Sequence, residues 1–266
     1  MKTNENEVGK LFAEERKEQI ISYLRTNKRA NIHELIDKFQ VSGATIRADL
    51  RELESFGYIK RTHGGAMYRE DMLSDQDGIA SRDSYGQEKQ WIADKALQFI
   101  QNGETIILDA GTTNMHLARQ LKEYENLTVV TNDIVVAGEI YQCPNIKIIF
   151  CGGEMRPMYG CTAGAGTMSF IQRLSVDRAF ISPNALSVSQ GAFTPNFDLA
   201  ETKRAFMQSA EKNYLLCTSN KIGKKAMCQV ARIEEFDAIF TDIHIRNHDL
   251  EALKLAEIPI YVCGEE

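Results

Sequence analysis

"VSGATIRADLRELESFGYIKRTHGG", Val41 to Gly65, sets Arg47 and Arg51 one helical turn apart in a chain whose formal net charge is −6. Read as a helix with Ser42 as N-cap and Gly57 as its stop, the segment gathers Ile46, Leu50 and Leu53 on one face. Ala44, Arg47, Ala48, Arg51 and Ser55 then face outward. Gly43 and Ala44 keep the helix start slim, so it can approach another surface closely, where its free N–H groups favour an anion. Upstream, Ala13 to Asn27 reads as a helix with Ile20, Ile21 and Leu24 on one side. A second helix opens at Asn31, with Glu34 in capping-box spacing and a stripe of Ile32, Leu35, Ile36 and Phe39. The short "QVS" link then makes the last two helices a helix-turn-helix, whose second helix enters a DNA groove. Downstream, Tyr58 and Ile59 start a strand, "HGG" supplies a turn and Ala66 to Tyr68 return. This is a basic wing, expected to lay Lys60, Arg61 and His63 on a phosphate backbone. A three-helix bundle with a solvated charged face is the bland alternative, but capping, turn length, outward arginines and wing agree on DNA. The candidate DNA-binding set is Ser42, Ala44, Thr45, Arg47, Arg51, Lys60, Arg61 and His63, with the arginines directed at base edges or phosphates.

Charge is divided unevenly along the chain. Met1 to Arg69 carries a net +3 and the remainder −9, the division expected of a nucleic-acid reader joined to an acidic partner domain. With 266 residues, 43% hydrophobic and 26% charged, the composition is that of a soluble globular protein with one large or two modest domains. No apolar run approaches the roughly 20 residues that span a bilayer, and "MKTNENEVGK" does not read as a secretory leader. The six cysteines are scattered, with no C-x-x-C pair. Reduced thiols in a cytoplasm are expected, with no metal site and no cofactor.

From Arg69 to Gly86 the sequence is polar and lacks any period, so a linker over 70–86 is expected between a DNA-binding domain, 1–69, and a second domain, 87–266. In the latter, apolar runs ("TIILD", "LTVVTN", "IKIIF", "RAFIS", "YLLCT", "AIFT", "IYVC") alternate with helical stretches. Those stretches lie near Asn114–Lys122, Val135–Tyr141, Met168–Leu174, Leu199–Ala210 and Leu250–Ala256. The pattern predicts an α/β fold with a mostly parallel sheet covered on both faces. Ligands in such sheets sit at the carboxyl ends of strands. There the sequence offers Asp109, Gly111, Thr112 and Thr113 in "DAGTT", then Asn132 in "TN", and Gly152, Gly153 and Arg156 in "CGGEMR". Lys203 and Lys221 are placed to complete an anion site.

These residues also carry a resemblance. "ATIRADLRELESFGYIKRTHGGA" is similar to the DNA-binding signature of the DeoR family of bacterial transcription regulators. "EKQWIADKALQFIQNGETIILDAGTT", "LTVVTN" and "CGGEMRP" resemble that family's sensor domain, so the likeness spans nearly the whole chain. It implies a winged helix-turn-helix followed by a domain related to sugar-phosphate isomerases that binds a phosphorylated sugar or related metabolite. Glu88 and Lys89 join the effector set by position. The chain departs from the family pattern at Ala48, where a second arginine is common, at "SPNAL" (Ser182 to Leu186), and at Leu199 and Thr218, where acids are common. The phosphate half of the pocket is retained and the hydroxyl-reading half altered. The expected function is a DNA-binding regulator, a repressor of carbohydrate uptake or catabolism genes, acting on a double-stranded operator as a dimer or tetramer without catalysis. Two alternatives stay open: an isomerase-like enzyme fused to a DNA-binding module, and a regulator whose pocket is vestigial.

Overall fold

The computed structural model describes residues 13–55, 59–62, 64–68, 85–156 and 159–265. The expected helix stop Gly57, the wing-tip residue His63 and residues 70–84 of the expected linker lie outside them. The chain divides into two compact units, 1–74 and 75–266.

In the first unit, α1 (Ala13–Asn27), α2 (Ile32–Phe39) and α3 (Gly43–Ser55) enclose a small core. Ile20, Leu24, Leu35, Ile46, Leu50 and Leu53 are each at most 2% exposed, and burying each such side chain contributes about 1.5–3 kcal/mol. Asn31 caps α2 as its spacing predicts, accepting from Glu34 N–H while the Glu34 carboxylate accepts from Asn31 N–H. Gln40 ends that helix in the left-handed region. Ser42 Oγ then accepts from Thr45 N–H at 3.1 Å and starts α3. The wing strands β2 (Ile59–Thr62) and β3 (Gly65–Tyr68) pair antiparallel. A further strand, β1 (Arg29–Asn31), also pairs with β3 and makes the wing three-stranded.

The second unit is built on seven strands. These are β4 (Thr105–Leu108), β5 (Leu127–Thr131), β6 (Ile146–Phe150), β9 (Val176–Ile181), β12 (Ala210–Leu216), β14 (Ala238–Asp242) and β15 (Ile260–Cys263). Their order is β15-β14-β12-β9-β4-β5-β6, and every neighbouring pair is parallel. Alternation along the strands splits the core in two. Ile107, Val130, Ile181, Leu215 and Ile239 enter one cluster with α7 (Ala165–Ile171), α8 (Phe197–Gln208) and α9 (Asn247–Lys254). Ile106, Leu108, Val129, Phe180, Leu216 and Phe240 enter the other, under α4 (Gly86–Leu97), α5 (Thr112–Arg119) and α6 (Ile134–Ile140). A hairpin of β7 (Glu154–Arg156) and β8 (Cys161–Ala163) stands apart from the main sheet. So does a small antiparallel sheet of β10 (Ala185–Ser187), β11 (Gly191–Thr194) and β13 (Cys228–Ala231). Among the described residues no helix is long and apolar enough to cross a membrane.

Candidate functional site

Helix α3 carries the first site. Its outward residues Ala44, Arg47, Ala48 and Arg51 are all exposed, and Arg51 Nε donates to the Arg47 carbonyl at 3.2 Å. The helix is anchored from behind by charge as well as by leucines. Arg16 Nε donates to Asp49 Oδ2 at 2.7 Å and Arg16 Nη2 to Oδ1 at 3.2 Å. Lys17 pairs with Glu52 at 2.6 Å. Donating to Asp49 raises the Arg16 pKa above its ordinary value, so the guanidinium stays charged. Ser42 and Thr45 spend their hydroxyls on one another and on the cap, 2.9 Å apart.

The two wing cations part company. Adjacent strand residues point to opposite faces. The exposed Lys60 lies in a cross-strand row with Met67 and the exposed Arg29. Arg61 belongs to the face of buried Ile59 and Ala66 and turns back to α3, where Glu54 accepts both its N–H and its Nε at 2.9 Å. Sequence reading gave both residues the same phosphate role. The structure gives Arg61 an intramolecular counterion and leaves Lys60 on the outer face beside Arg29, a residue that reading had missed.

The second site lies where the strand order reverses. From β4 the chain builds outward through β5 and β6, then returns to place β9 on the other side of β4. The crevice at the carboxyl ends of β4 and β9 is the ligand position of such a sheet. Asp109, 1% exposed, follows β4. Its Oδ2 accepts from Lys203 Nζ at 2.5 Å and from Ser182 N–H at 3.0 Å, and the same ammonium donates to the Ser182 carbonyl at 2.9 Å. Lys203 is on α8 and 4% exposed. A buried ammonium requires a counterion, so Lys203 welds α8 to β4 and β9 instead of standing ready for a ligand anion. Lys221 likewise donates to the Pro183 carbonyl at 2.9 Å. Both cations expected to complete an anion site thus bind the "SPNAL" strand end.

Gly111 has φ +152°, and a Cβ built on it would lie 2.9 Å from Ser182 Cβ. Only glycine lets these two strand ends close up. Gly111 N–H donates to Asp133 Oδ2 at 3.2 Å, while Asp133 Oδ1 caps α6 through Val135 and Val136. After Gly111, Thr112 and Thr113 form the first turn of α5. Asn132 directly follows β5 and donates from Nδ2 to the Thr162 carbonyl at 2.7 Å. The β7–β8 hairpin is stitched there by Thr162 N–H to Asn132 O and Ile134 N–H to Gly160 O, each 2.9 Å. Arg156 of β7 pairs with Glu154 at 3.3 Å and with Asp198 at the start of α8. Gly152 and Gly153 are exposed at the foot of this hairpin. They let it turn past Thr167, whose Oγ1 would lie 1.9 Å from a Cβ on Gly153. Leu199 fills an apolar contact with Cys161, Ala163, Ala110 and Tyr159. Burial pushes the Cys161 thiol up to about 12 against the opposing pull of Lys203, so it is a protonated packing group.

Eight buried side-chain polar atoms among the described residues have no protein partner, and five of them are Thr113 Oγ1, Asn132 Oδ1, Ser182 Oγ, Arg156 Nε and Tyr159 OH. Buried polar groups are normally satisfied, and here five unsatisfied ones belong to adjoining strand ends and the hairpin. Ser182 and Tyr159 were not among the expected ligand residues, since a serine at a strand end and a tyrosine in a turn carry no signal of their own. Glu88, expected by family position, stands 3.7 Å from His244 at the end of β14, and Lys89 is buried in α4.

Comparison with known proteins bears on both units. Residues 16–71 match the model of the DeoR-like helix-turn-helix domain and residues 85–243 that of the DeoR C terminal sensor domain. The HTH-type transcriptional regulator GlpR of Haloferax volcanii is 32% identical over 92% of this chain and 96% of its own. The glycerol-3-phosphate regulon repressor of Escherichia coli K12 is 31% identical over 84% and 88%. The lactose phosphotransferase system repressor of Staphylococcus epidermidis is 33% identical over 89% and 93%. A solved ribose 5-phosphate isomerase A from Methanocaldococcus jannaschii matches 50% of this chain and 53% of its own at 14% identity and a TM-score of 0.38, too slight a likeness to argue from. An arginine-bearing recognition helix in one unit, a strand-end crevice in the other and relatives aligned along almost the whole length lead to one assignment: the chain belongs to the DeoR family of transcription regulators.

Proposed function

We propose that this protein represses genes of carbohydrate uptake or catabolism by binding a double-stranded operator, and that a phosphorylated sugar or related metabolite releases it. The observation that carries the reading is the exposed Ala44–Arg47–Ala48–Arg51 face of a helix clamped by the Arg16–Asp49 pair. Small residues admit the groove and the arginines meet it. The DNA-contacting set is Ser42, Ala44, Thr45, Arg47, Arg51, Lys60 and His63, with Arg61 holding the wing to α3 through Glu54. In the sensor unit the "DAGTT" turn and the start of α5 receive the phosphate, supported by the unsatisfied Thr113 and Ser182 hydroxyls. On this reading the chain is a cytoplasmic regulator of domains 1–69 and 87–266 joined by 70–86, and assembles as a dimer or tetramer to read paired half-sites. It catalyses nothing. Asp109, the best-placed base, already accepts from Lys203 and Ser182, which disfavours proton abstraction.

The test is operator binding, with the operator selected from upstream DNA of the chain's own genome. Arg47→Ala should lose about 1–3 kcal/mol of operator affinity if it contacts a base. Lys60→Ala should weaken all DNA alike and lower the salt slope by about one. Equal operator affinity of Arg47→Ala and wild type would remove the recognition helix from the account.

A further inference from the structure

The buried face of α3 is Ile46, Leu50 and Leu53, and at about 100° per residue the line directly opposite runs between Ala44 and Ala48. Both are exposed, so the first two turns of the helix project two methyl groups where they reach farthest. The polar groups around that line are engaged with the protein. The Ser42 and Thr45 hydroxyls lie 2.9 Å apart, and Ser42 Oγ accepts from Thr45 N–H. Glu52 pairs with Lys17 at 2.6 Å. The arginines stand to one side of the alanine row and lean toward the helix start. A Cβ built on Gly43 would lie 3.2 Å from Arg47 Nη1, so the Arg47 guanidinium rests over Gly43. Arg51 Nε reaches one turn back to the Arg47 carbonyl at 3.2 Å. The face is therefore two methyl groups bordered by two guanidinium groups.

We infer that Ala44 and Ala48 are specificity-determining residues that read thymine, each packing its methyl group on the C5 methyl of a thymine in the major groove. There an A·T pair presents a methyl group that an alanine can contact, while guanine presents paired acceptors suited to arginine. Cβ atoms four residues apart on a helix are separated by about 5–6 Å, against a base rise of about 3.4 Å. The two thymines therefore stand one or two base pairs apart in each half-site. Removing apolar surface from water needs no hydrogen bond, and one such methyl contact is worth about fourfold in affinity. The inference rests on the recognition-helix reading above and adds the base that the helix selects. At position 48 the chain departs from its family's pattern, so the selection is particular to this chain.

The experiment uses the full chain and the operator it enriches from a random-sequence duplex library. Each thymine of a half-site is replaced in turn by deoxyuridine, which keeps the hydrogen-bonding edge and removes only the methyl group. Wild type should lose about fourfold in affinity at each of two positions, one or two base pairs apart. Ala48→Gly should bind the thymine and deoxyuridine forms of one position within about 1.5-fold of each other, and Ala44→Gly those of the other. The ratio is taken within each protein, so the weakening of a helix by glycine cancels. An operator without thymine, or no loss at any deoxyuridine, overturns the inference, as does a full loss retained by both folded variants. A loss at one position alone keeps the alanine whose substitution abolishes it and removes the other. In each of these cases a weaker operator complex of Arg47→Ala leaves the recognition-helix reading standing. Failure of the chain to enrich any duplex sequence sinks both. The deoxyuridine comparison on wild type needs no variant, so the test survives a poorly folding glycine substitution.

Discussion

A carboxylate that is 4% exposed on a helix facing DNA requires a partner, and Asp49 has Arg16 at 2.7 Å. Asp49→Ala would remove the two-pronged carboxylate partner of the buried Arg16 guanidinium, at a cost of about 3 kcal/mol or more. The melting curve should then show an early transition, with operator affinity falling alongside it. An unchanged curve would mean that the clamp is ornamental. His116 offers a test of pH dependence. It is half-buried on α5 with Nδ1 3.0 Å from Gln90 Oε1, and burial first, then Arg119 and Lys89, lower its pKa. The unfolded chain therefore takes up the proton more readily, so this stability is full above about pH 6.5 and is lost as pH falls below that value through the lower folded pKa. The melting temperature should fall more between about pH 7.5 and 5.5 for wild type than for His116→Gln. Equal falls would contradict the assignment.

Short backbone pieces decide where the functional side chains stand. The "HGG" stretch reads as a turn, but Gly65 opens β3, and a Cβ there would sit 2.1 Å from the Ala30 carbonyl oxygen. Gly65→Ala must therefore push β1 off the wing, at about 1–3 kcal/mol. DNA affinity should weaken even though no contact residue has changed. Operator affinity equal to wild type would show that the β1–β3 pairing does not matter. Strand β1 itself was not legible, because Arg-Ala-Asn has no apolar period and becomes a strand only when β3 pairs with it. The hairpin β7–β8 and the sheet β10-β11-β13 escaped for the same reason, their strands being three or four residues long. The seven core strands were legible as continuous apolar runs. Helices beside them were placed late: the apolar residues suggested starts at Val135 and Leu199, while Asp133 and Asn196 cap helices beginning at Ile134 and Phe197. Strand-end residues were readable as a group because they follow each strand directly. The Asp109–Lys203 pair was not, since 94 residues separate its members and no local pattern encodes their meeting.

Across the molecule, one chain carries a DNA-reading unit and a sensor unit whose buried polar atoms call for a ligand. A ligand shifts DNA affinity only through different affinities for the DNA-bound and released states. Thr113→Val isolates that link. The hydroxyl it removes is buried and has no protein partner, so neither the fold nor unliganded operator binding should suffer. Gly111 is a poorer probe, because any side chain there meets Ser182 and its loss of response would be confounded with strain. The decisive measurement is an operator-binding titration of the full chain with increasing phosphorylated sugar, wild type against Thr113→Val, with melting curves alongside. The account predicts that at least one phosphorylated sugar releases wild-type protein from its operator, and that Thr113→Val, equally stable, requires about tenfold more of it. Release of both proteins at the same concentration, or no effect of any phosphorylated sugar on wild type, would contradict it.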